Sequence, residues 1–157
     1  YCGAISSTIS LMKYGRNRSY AAILGKHLAS ILDSKKITGK TVIYPPMSFI
    51  DKFRRSFNQS EIIAEKVAVE HNLELNRSLI KKTRKTKPQA SLTYDKRIKN
   101  LKGAFRLDGQ VKEMNFLIID DVCTTFSTIN AIAELLKKNG AREVSAVTIA
   151  RTSLYFG

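Results

Sequence analysis

Cysteine, histidine and acidic residues are all scarce in this sequence, and each shortage narrows what the protein can be. The two cysteines, Cys2 and Cys123, stand far apart and in no Cys-x-x-Cys pair, so spacing argues for neither a disulfide framework nor a zinc site. The two histidines, His27 and His71, fall inside or near the end of helical patterns and read as surface or packing residues. They leave no dedicated general base. No apolar run approaches the roughly 18 residues that a membrane-spanning helix needs, and no leader of the secretory kind opens the chain. The expectation is a cytoplasmic protein with reduced thiols and no membrane insertion. The opening Tyr1-Cys2-Gly3 lacks a methionine, which suggests a fragment or an incomplete amino terminus.

Acids number 13 against 27 Lys and Arg, a formal charge of +14. The excess is concentrated. Residues 77–106 hold eleven basic side chains (Arg77, Lys81, Lys82, Arg84, Lys85, Lys87, Lys96, Arg97, Lys99, Lys102, Arg106) and one acid, Asp95, so this window alone carries +10. Such a concentration implies a polyanionic partner: a nucleic acid backbone, an acidic membrane or a small phosphorylated ligand. A solvated basic face is the plain alternative. Tyr94 and Phe105 would be available to stack on the bases of single-stranded DNA, although aromatics are sparse there.

With 43% hydrophobic and 25% charged residues, the chain has ordinary globular composition and the length of one domain, residues 1–157. Three helices follow from period and caps. Leu24, Leu28, Ile31 and Leu32 form one apolar stripe. Asn58 can cap a second helix with Glu61 three residues on and Phe57 as a hydrophobic staple, which turns Ile62, Ile63 and Val67 inward. Ile129, Ile132, Ala133 and Leu136 form the third stripe, with Lys137 and Lys138 suited to the helix C-terminus and Gly140 as its stop.

Strands are predicted at residues 41–44, 116–119 and 144–150, with weaker candidates in "SLIKK" and "GAFRL". Residues 116–119 are apolar at every position, as in the middle of a parallel sheet covered on both faces. The alternation predicts an α/β fold with a mostly parallel central sheet flanked by helices. Residues 83–103 lack a convincing period, and loops of that length are usually functional.

"FLIIDDVCTTFST" then reads as a strand ending at Ile119, a turn over residues 120–126, and a helix starting at Ser127 or Thr128. Ligands of open parallel sheets bind at this carboxyl edge. The unpartnered N–H groups and dipole of a helix start favour a phosphate there. Thr124, Thr125, Ser127 and Thr128 add hydroxyls; three or four charge-assisted bonds of roughly 1.5–3 kcal/mol each would support micromolar binding, about 8 kcal/mol. Asp120 and Asp121 would repel a phosphate but accept from the 2′ and 3′ hydroxyls of a ribose. A ribose phosphate therefore satisfies both halves. Two other readings stay open: Ser127 or Thr128 as a helix cap beside a solvated strand end, and a metal on the aspartate pair, which lacks a third protein ligand at a helpful distance.

These residues resemble the phosphoribosyl pyrophosphate (PRPP) motif of type I phosphoribosyltransferases, an apolar strand followed by Asp-Asp-x-x-Thr-Thr-Gly-x-Thr. With "RRSFNQSEIIAEKV", "RKTKPQASLTYDKRIKNLKGAF" and "GAREVSAVTIART", residues 13–152 resemble the ComF family, amidophosphoribosyltransferase-like proteins named from bacterial competence. The resemblance implies a type I phosphoribosyltransferase-like fold. It further implies Asp120 and Asp121 on the ribose, Thr124, Thr125, Ser127 and Thr128 on the 5′-phosphate, and "YPPMS" with Pro46 and Met47 beside the pyrophosphate. Residues 84–103, containing Arg84, Lys85, Pro88, Gln89 and Arg97, correspond to the mobile loop that closes over the site.

Mg2+ would arrive with PRPP, the substrate bringing most of its ligands. The implied reaction is transfer of the phosphoribosyl group to a nitrogen nucleophile, with Mg2+ and some of Arg54, Arg55, Arg84, Lys85 and Arg97 neutralising the pyrophosphate. Arg54, Arg55, Asn58 and Gln59 carry a double reading, as an anion clamp or as helix-start residues. The competing function is a non-catalytic, competence-linked factor that binds single-stranded DNA or DNA-uptake proteins through the basic window. The nucleophile and oligomeric state are left open.

Two departures from the family pattern stand out. Phe126 occupies the motif's glycine position, where a positive φ or close phosphate approach would be hindered by a side chain. Cys2 stands where relatives have cysteine pairs resembling an upstream zinc module, and no metal site is assigned to it.

Overall fold

The computed structural model describes residues 11, 17–47, 56–83, 100–101, 103–123 and 125–151. Their order is α1 (Arg18–Ile31), α2 (Ser34–Ile37), β1 (Thr41–Ile43), α3 (Gln59–Glu70), β2 (Ile80–Lys82), β3 (Phe105–Leu107), β4 (Asn115–Cys123), α4 (Ser127–Lys138) and β5 (Glu143–Arg151). β4 lies between β1 and β5, parallel to both, in the register Val42 to Leu117 and Leu117 to Ser145. β2 and β3 form a separate antiparallel ribbon, Ile80 opposite Leu107.

The uniformly apolar start of β4 is explained by what covers it. Leu117 and Ile119 join one buried cluster with Leu24 and Leu28 of α1 and Ile62, Ile63 and Val67 of α3. Phe116 and Ile118 join the other with Ile129, Ile132 and Leu136 of α4 and with Ile80 and Phe105 of the ribbon. Each such side chain, fully buried, contributes roughly 1.5–3 kcal/mol. At the amino end of the sheet, buried Lys40 pairs with Glu143 and donates to Ser145 Oγ (3.0 Å), tying the entry of β1 to β5 across β4.

The α/β class, the parallel sheet and both weak strands agree with the sequence reading, and so do the inward faces of α3 and α4. Asn58 caps α3 by accepting from Ser60 N–H (3.1 Å), and Gly140 takes the positive φ (90°) that follows α4. Two boundaries differ. The long strand does not end at Ile119: hydrogen bonding to β5 continues past the apolar run, with Asp120 opposite Thr148 and Cys123 opposite Arg151. Ile31 is also not part of the α1 stripe but 66% exposed. The chain leaves the helix at Leu32, whose extended backbone turns its own side chain onto the core, and Asp33 then caps α2 through Lys35 N–H (3.0 Å).

This packing sets a measurable contrast. Leu28→Ala should lose about 2–5 kcal/mol of unfolding free energy in urea, whereas Ile31→Ala should stay within about 0.5 kcal/mol of wild type. Equal losses would contradict the α1 packing described here.

Candidate functional site

Asp120 and Asp121 are half-buried members of β4, not part of a turn. Asp120 Oδ1 accepts from Asp121 N–H (2.9 Å), and Asp121 Oδ1 accepts from Val122 N–H (2.7 Å). The strand's alternation reverses at this point. Odd residues Leu117 and Ile119 face α1 and α3, yet beyond the acids it is Val122 that packs on that side and Cys123 on the side of α4. The acids therefore sit at a switch of face, where β4 stops being a core strand and becomes a rim.

Two neighbouring elements are fastened to this rim. Ser60, buried in the first turn of α3, donates its hydroxyl to Asp120 Oδ1 (2.8 Å). Asn58 donates Nδ2–H to Pro45 O (3.0 Å), so the segment after β1, which includes half-buried Pro46 and Met47, is tied to the same helix start. For Asn58 the structural role is the one observed. Gln59 beside it is 2% exposed and its Nε2 has no hydrogen-bond partner among the described residues. Burial and Glu61, which hydrogen-bonds it, hold the Tyr44 phenol protonated well above its usual range, and Glu61 also pairs with Arg77 (3.5 Å) rather than folding back onto Asn58.

Beyond β4, Cys123 is buried and its Sγ accepts from Phe126 N–H (3.1 Å). Thr125 Oγ1 and Ser127 Oγ share a hydrogen bond (2.7 Å), and Thr128 lies half-buried in the first turn of α4. Neither Ser127 nor Thr128 is the cap. Phe126 is, in a left-handed conformation (φ 57°, ψ 1°) with no side-chain cap bond, whereas α1, α2 and α3 start on Asn17, Asp33 and Asn58. The positive φ expected of the motif's glycine position is thus present, at a cost of about 1–2 kcal/mol for a residue with a Cβ. The ring is 38% exposed and the Arg151 guanidinium lies 5.3 Å over its centroid.

Thr124, Arg54, Arg55, Arg84, Lys85, Pro88, Gln89, Tyr94, Arg97 and Cys2 lie outside the described residues. The ends of the basic window do lie within them, and acids outside the window meet them. Arg77 pairs with Glu61 and Glu65, and Lys81 and Arg106 with Asp108. Phe105 is buried under β4 and α4, which corrects its assignment as a stacking residue: the ribbon needs it as core. His71 is bonded to Ser34 Oγ (3.0 Å) and Ala29 O (2.9 Å), while His27 is exposed on α1. Among the described residues no group of three or more His, Cys, Asp or Glu could hold a metal ion, and no helix is long and apolar enough to cross a membrane.

Residues 19–153 match the phosphoribosyl transferase domain family. The chain belongs to that family. Within it this is a ComF-family domain. It is 33% identical to the DNA utilization protein YhgH of Escherichia coli O157:H7, over 97% of this chain and 69% of that one. It is 30% identical to Competence protein F of Haemophilus influenzae, over 71% and 50%. A hypoxanthine phosphoribosyltransferase from Staphylococcus aureus shares the fold at a TM-score of 0.53 and 14% identity, covering 89% of this chain and 77% of that one. A structure titled as the allosteric regulatory enzyme of purine biosynthesis does so at 0.55 and 19%, covering 84% and 26%. The type I phosphoribosyltransferase-like fold of the domain is thereby shown.

Ser60, Cys123 and Arg151 were not singled out in the sequence. Ser60 follows Asn58 and Gln59 in a helix start, and only the fold brings it to Asp120. Burial raises the Cys123 thiol above its ordinary value, against the opposing effect of the Phe126 N–H. A group that holds its proton more tightly when folded contributes stability below its unfolded value, here about 9, and loses it as pH rises towards the raised folded value. The urea midpoint is therefore expected to fall between about pH 8 and pH 10, and to fall less in Cys123→Ala. The same slope in both proteins would rule out the thiol as the cause.

Proposed function

We propose that the domain binds PRPP together with Mg2+ and transfers the phosphoribosyl group to a nitrogen nucleophile. The observation that carries the reading is the meeting, at the carboxyl edge of β4, of the Asp120–Asp121 pair, the segment after β1 and the start of α4, in a chain of this family. In this reading Asp120 and Asp121 receive the ribose hydroxyls. Thr124, Thr125, Ser127, Thr128 and the first N–H groups of α4 receive the 5′-phosphate. The segment of Pro46 and Met47 lies beside the pyrophosphate, with Arg84, Lys85 and Arg97 as its cations.

The donor set fits a metal carried by substrate. Two carboxylates and no three-ligand cluster among the described residues suit an ion that keeps waters and phosphate oxygens. When bound, Mg2+ supplies positive charge to the leaving pyrophosphate. The nucleophile's lone pair forms the new bond to C1 of the ribose while the C1–oxygen bond breaks and its electrons leave with pyrophosphate. The acids fix the sugar on which positive charge develops. The names of the relatives, DNA utilization protein and Competence protein F, support placing this chemistry in the use of DNA taken up by the cell.

Calorimetry with PRPP and Mg2+ tests the reading. Binding is expected in wild type and should weaken by roughly tenfold or more in Asp120→Asn/Asp121→Asn; no heat at millimolar PRPP would sink it. The single-stranded DNA reading gains nothing from the described residues, because Phe105 is buried and Arg77, Lys81 and Arg106 are paired with acids. A labelled single-stranded oligonucleotide should show no mobility shift at physiological salt. A shift that falls steeply with added salt would restore that alternative.

A further inference from the structure

We infer that Arg151 is an anion-binding residue of the corner between β4 and α4, positioned by Phe126, and that the group it takes is the 5′-phosphate of a ribose ligand. The inference rests on the proposed reading of this site.

The reason begins with a donor that is turned away. In a loop that cradles phosphate, backbone N–H groups converge on the anion. Here the Phe126 N–H is directed to Cys123 Sγ (3.1 Å) instead, so one donor at the corner is already satisfied within the protein. The two hydroxyls on either side of Phe126 are bonded to each other, Thr125 Oγ1 to Ser127 Oγ at 2.7 Å, so one of their two protons is used within the protein and one is left for a ligand. The cradle is short of donors where the motif's glycine is missing.

A cation stands at that position. Arg151 ends β5 directly opposite Cys123 in the sheet register, so the residue whose sulfur takes the Phe126 N–H is also the one beside Arg151. Its guanidinium lies 5.3 Å over the Phe126 ring, and among the described residues no carboxylate pairs with it. Stacking on an aromatic face orients a guanidinium while leaving its N–H edges available, and that planar fork matches phosphate oxygens. A glycine at position 126 would offer no such face. The side chain that departs from the motif is therefore what holds the replacement donor, and the left-handed backbone is what presents the ring.

Calorimetry with ribose 5-phosphate, and separately with Mg2+ and pyrophosphate, tests this on the whole chain, with far-ultraviolet circular dichroism to verify that each variant folds. Arg151→Gln should weaken ribose 5-phosphate by roughly ten- to hundredfold and leave pyrophosphate affinity at the wild-type value, and Arg151→Lys should recover part of the loss. Phe126→Tyr should keep wild-type affinity, while Phe126→Leu should lose part of it. Wild-type affinity in Arg151→Gln, an equal loss for both ligands, or tighter binding in Phe126→Gly would overturn the inference. If Asp120→Asn/Asp121→Asn abolishes PRPP binding while Arg151→Gln has no effect on ribose 5-phosphate, only this inference fails. If wild type binds neither PRPP nor ribose 5-phosphate, both readings fail.

Discussion

The pairing of β4 with β5 beyond Ile119 is the constraint on which the rest of the site depends. Residues 120–123, which carry no continuous apolar pattern, remain in the strand, with Asp120 opposite Thr148, Val122 opposite Ala150 and Cys123 opposite Arg151. A carboxylate on a free loop would sample many positions, and ordering one backbone residue costs about 1–2 kcal/mol. Here that cost is met by strand pairing, so the acids are held before any ligand arrives. Ser60 then bonds Asp120, and Asn58 in the same helix start bonds Pro45, so the segment after β1 takes its position from β4 through two side-chain bonds. Each contributes about 1 kcal/mol, small beside the core but sufficient to choose one arrangement among loops of similar energy.

Phe126 shows how a departure from a motif is accommodated. Its left-handed backbone costs about 1–2 kcal/mol. The Arg151 contact returns about 0.5–1 kcal/mol at an exposed site, and the bond to Cys123 satisfies an N–H that a helix start otherwise leaves without a partner inside the helix. The terms nearly balance. A turn shaped for glycine can therefore be kept with a phenylalanine in it, provided that the neighbouring strand brings a cation and the preceding strand end brings an acceptor.

What could be read from the sequence follows from which forces are local. The buried faces of α3 and α4 were legible because Ile62, Ile63, Val67, Ile129, Ile132 and Leu136 repeat at the helical period and each is buried, and Asn58 was legible as a cap because capping involves neighbours only. The end of β4 was not, since two adjacent acids read as the start of a turn and only pairing with β5 keeps them in a strand. Ile31 and Leu32 both fit the α1 stripe by spacing, but the helix stops between them and only Leu32 reaches the core. The roles of Ser60 and Arg151 depend on contacts with residues far away or on another strand, for which periodicity carries no signal. Asp120, Asp121 and the start of α4 were named from the residues themselves, and Pro46 and Met47 from the family resemblance; they fall at or after the carboxyl ends of β4 and β1, which are neighbours in the sheet. The roles of Thr124, Arg84, Lys85 and Arg97 belong to residues beyond those described.

The charge distribution bears on what the basic segment is for. Arg77, Lys81 and Arg106, at or near the base of the β2–β3 ribbon, meet Glu61, Glu65 and Asp108, and exposed pairs of this kind contribute about 0–1 kcal/mol each. Their effect is electrostatic more than stabilising: they offset positive charge where the ribbon leaves the fold. Of the +14 of the chain, residues 84–102 carry +6, with seven Lys or Arg against one acid, Asp95. A broad nucleic-acid surface would be expected to extend its charge and its aromatics onto the folded ribbon, yet there the aromatic Phe105 is core and Lys81 and Arg106 are paired with Asp108. A short run of dense positive charge, next in sequence to ribbon cations that already have acidic partners, suits the proposed pyrophosphate better than an extended polyanion.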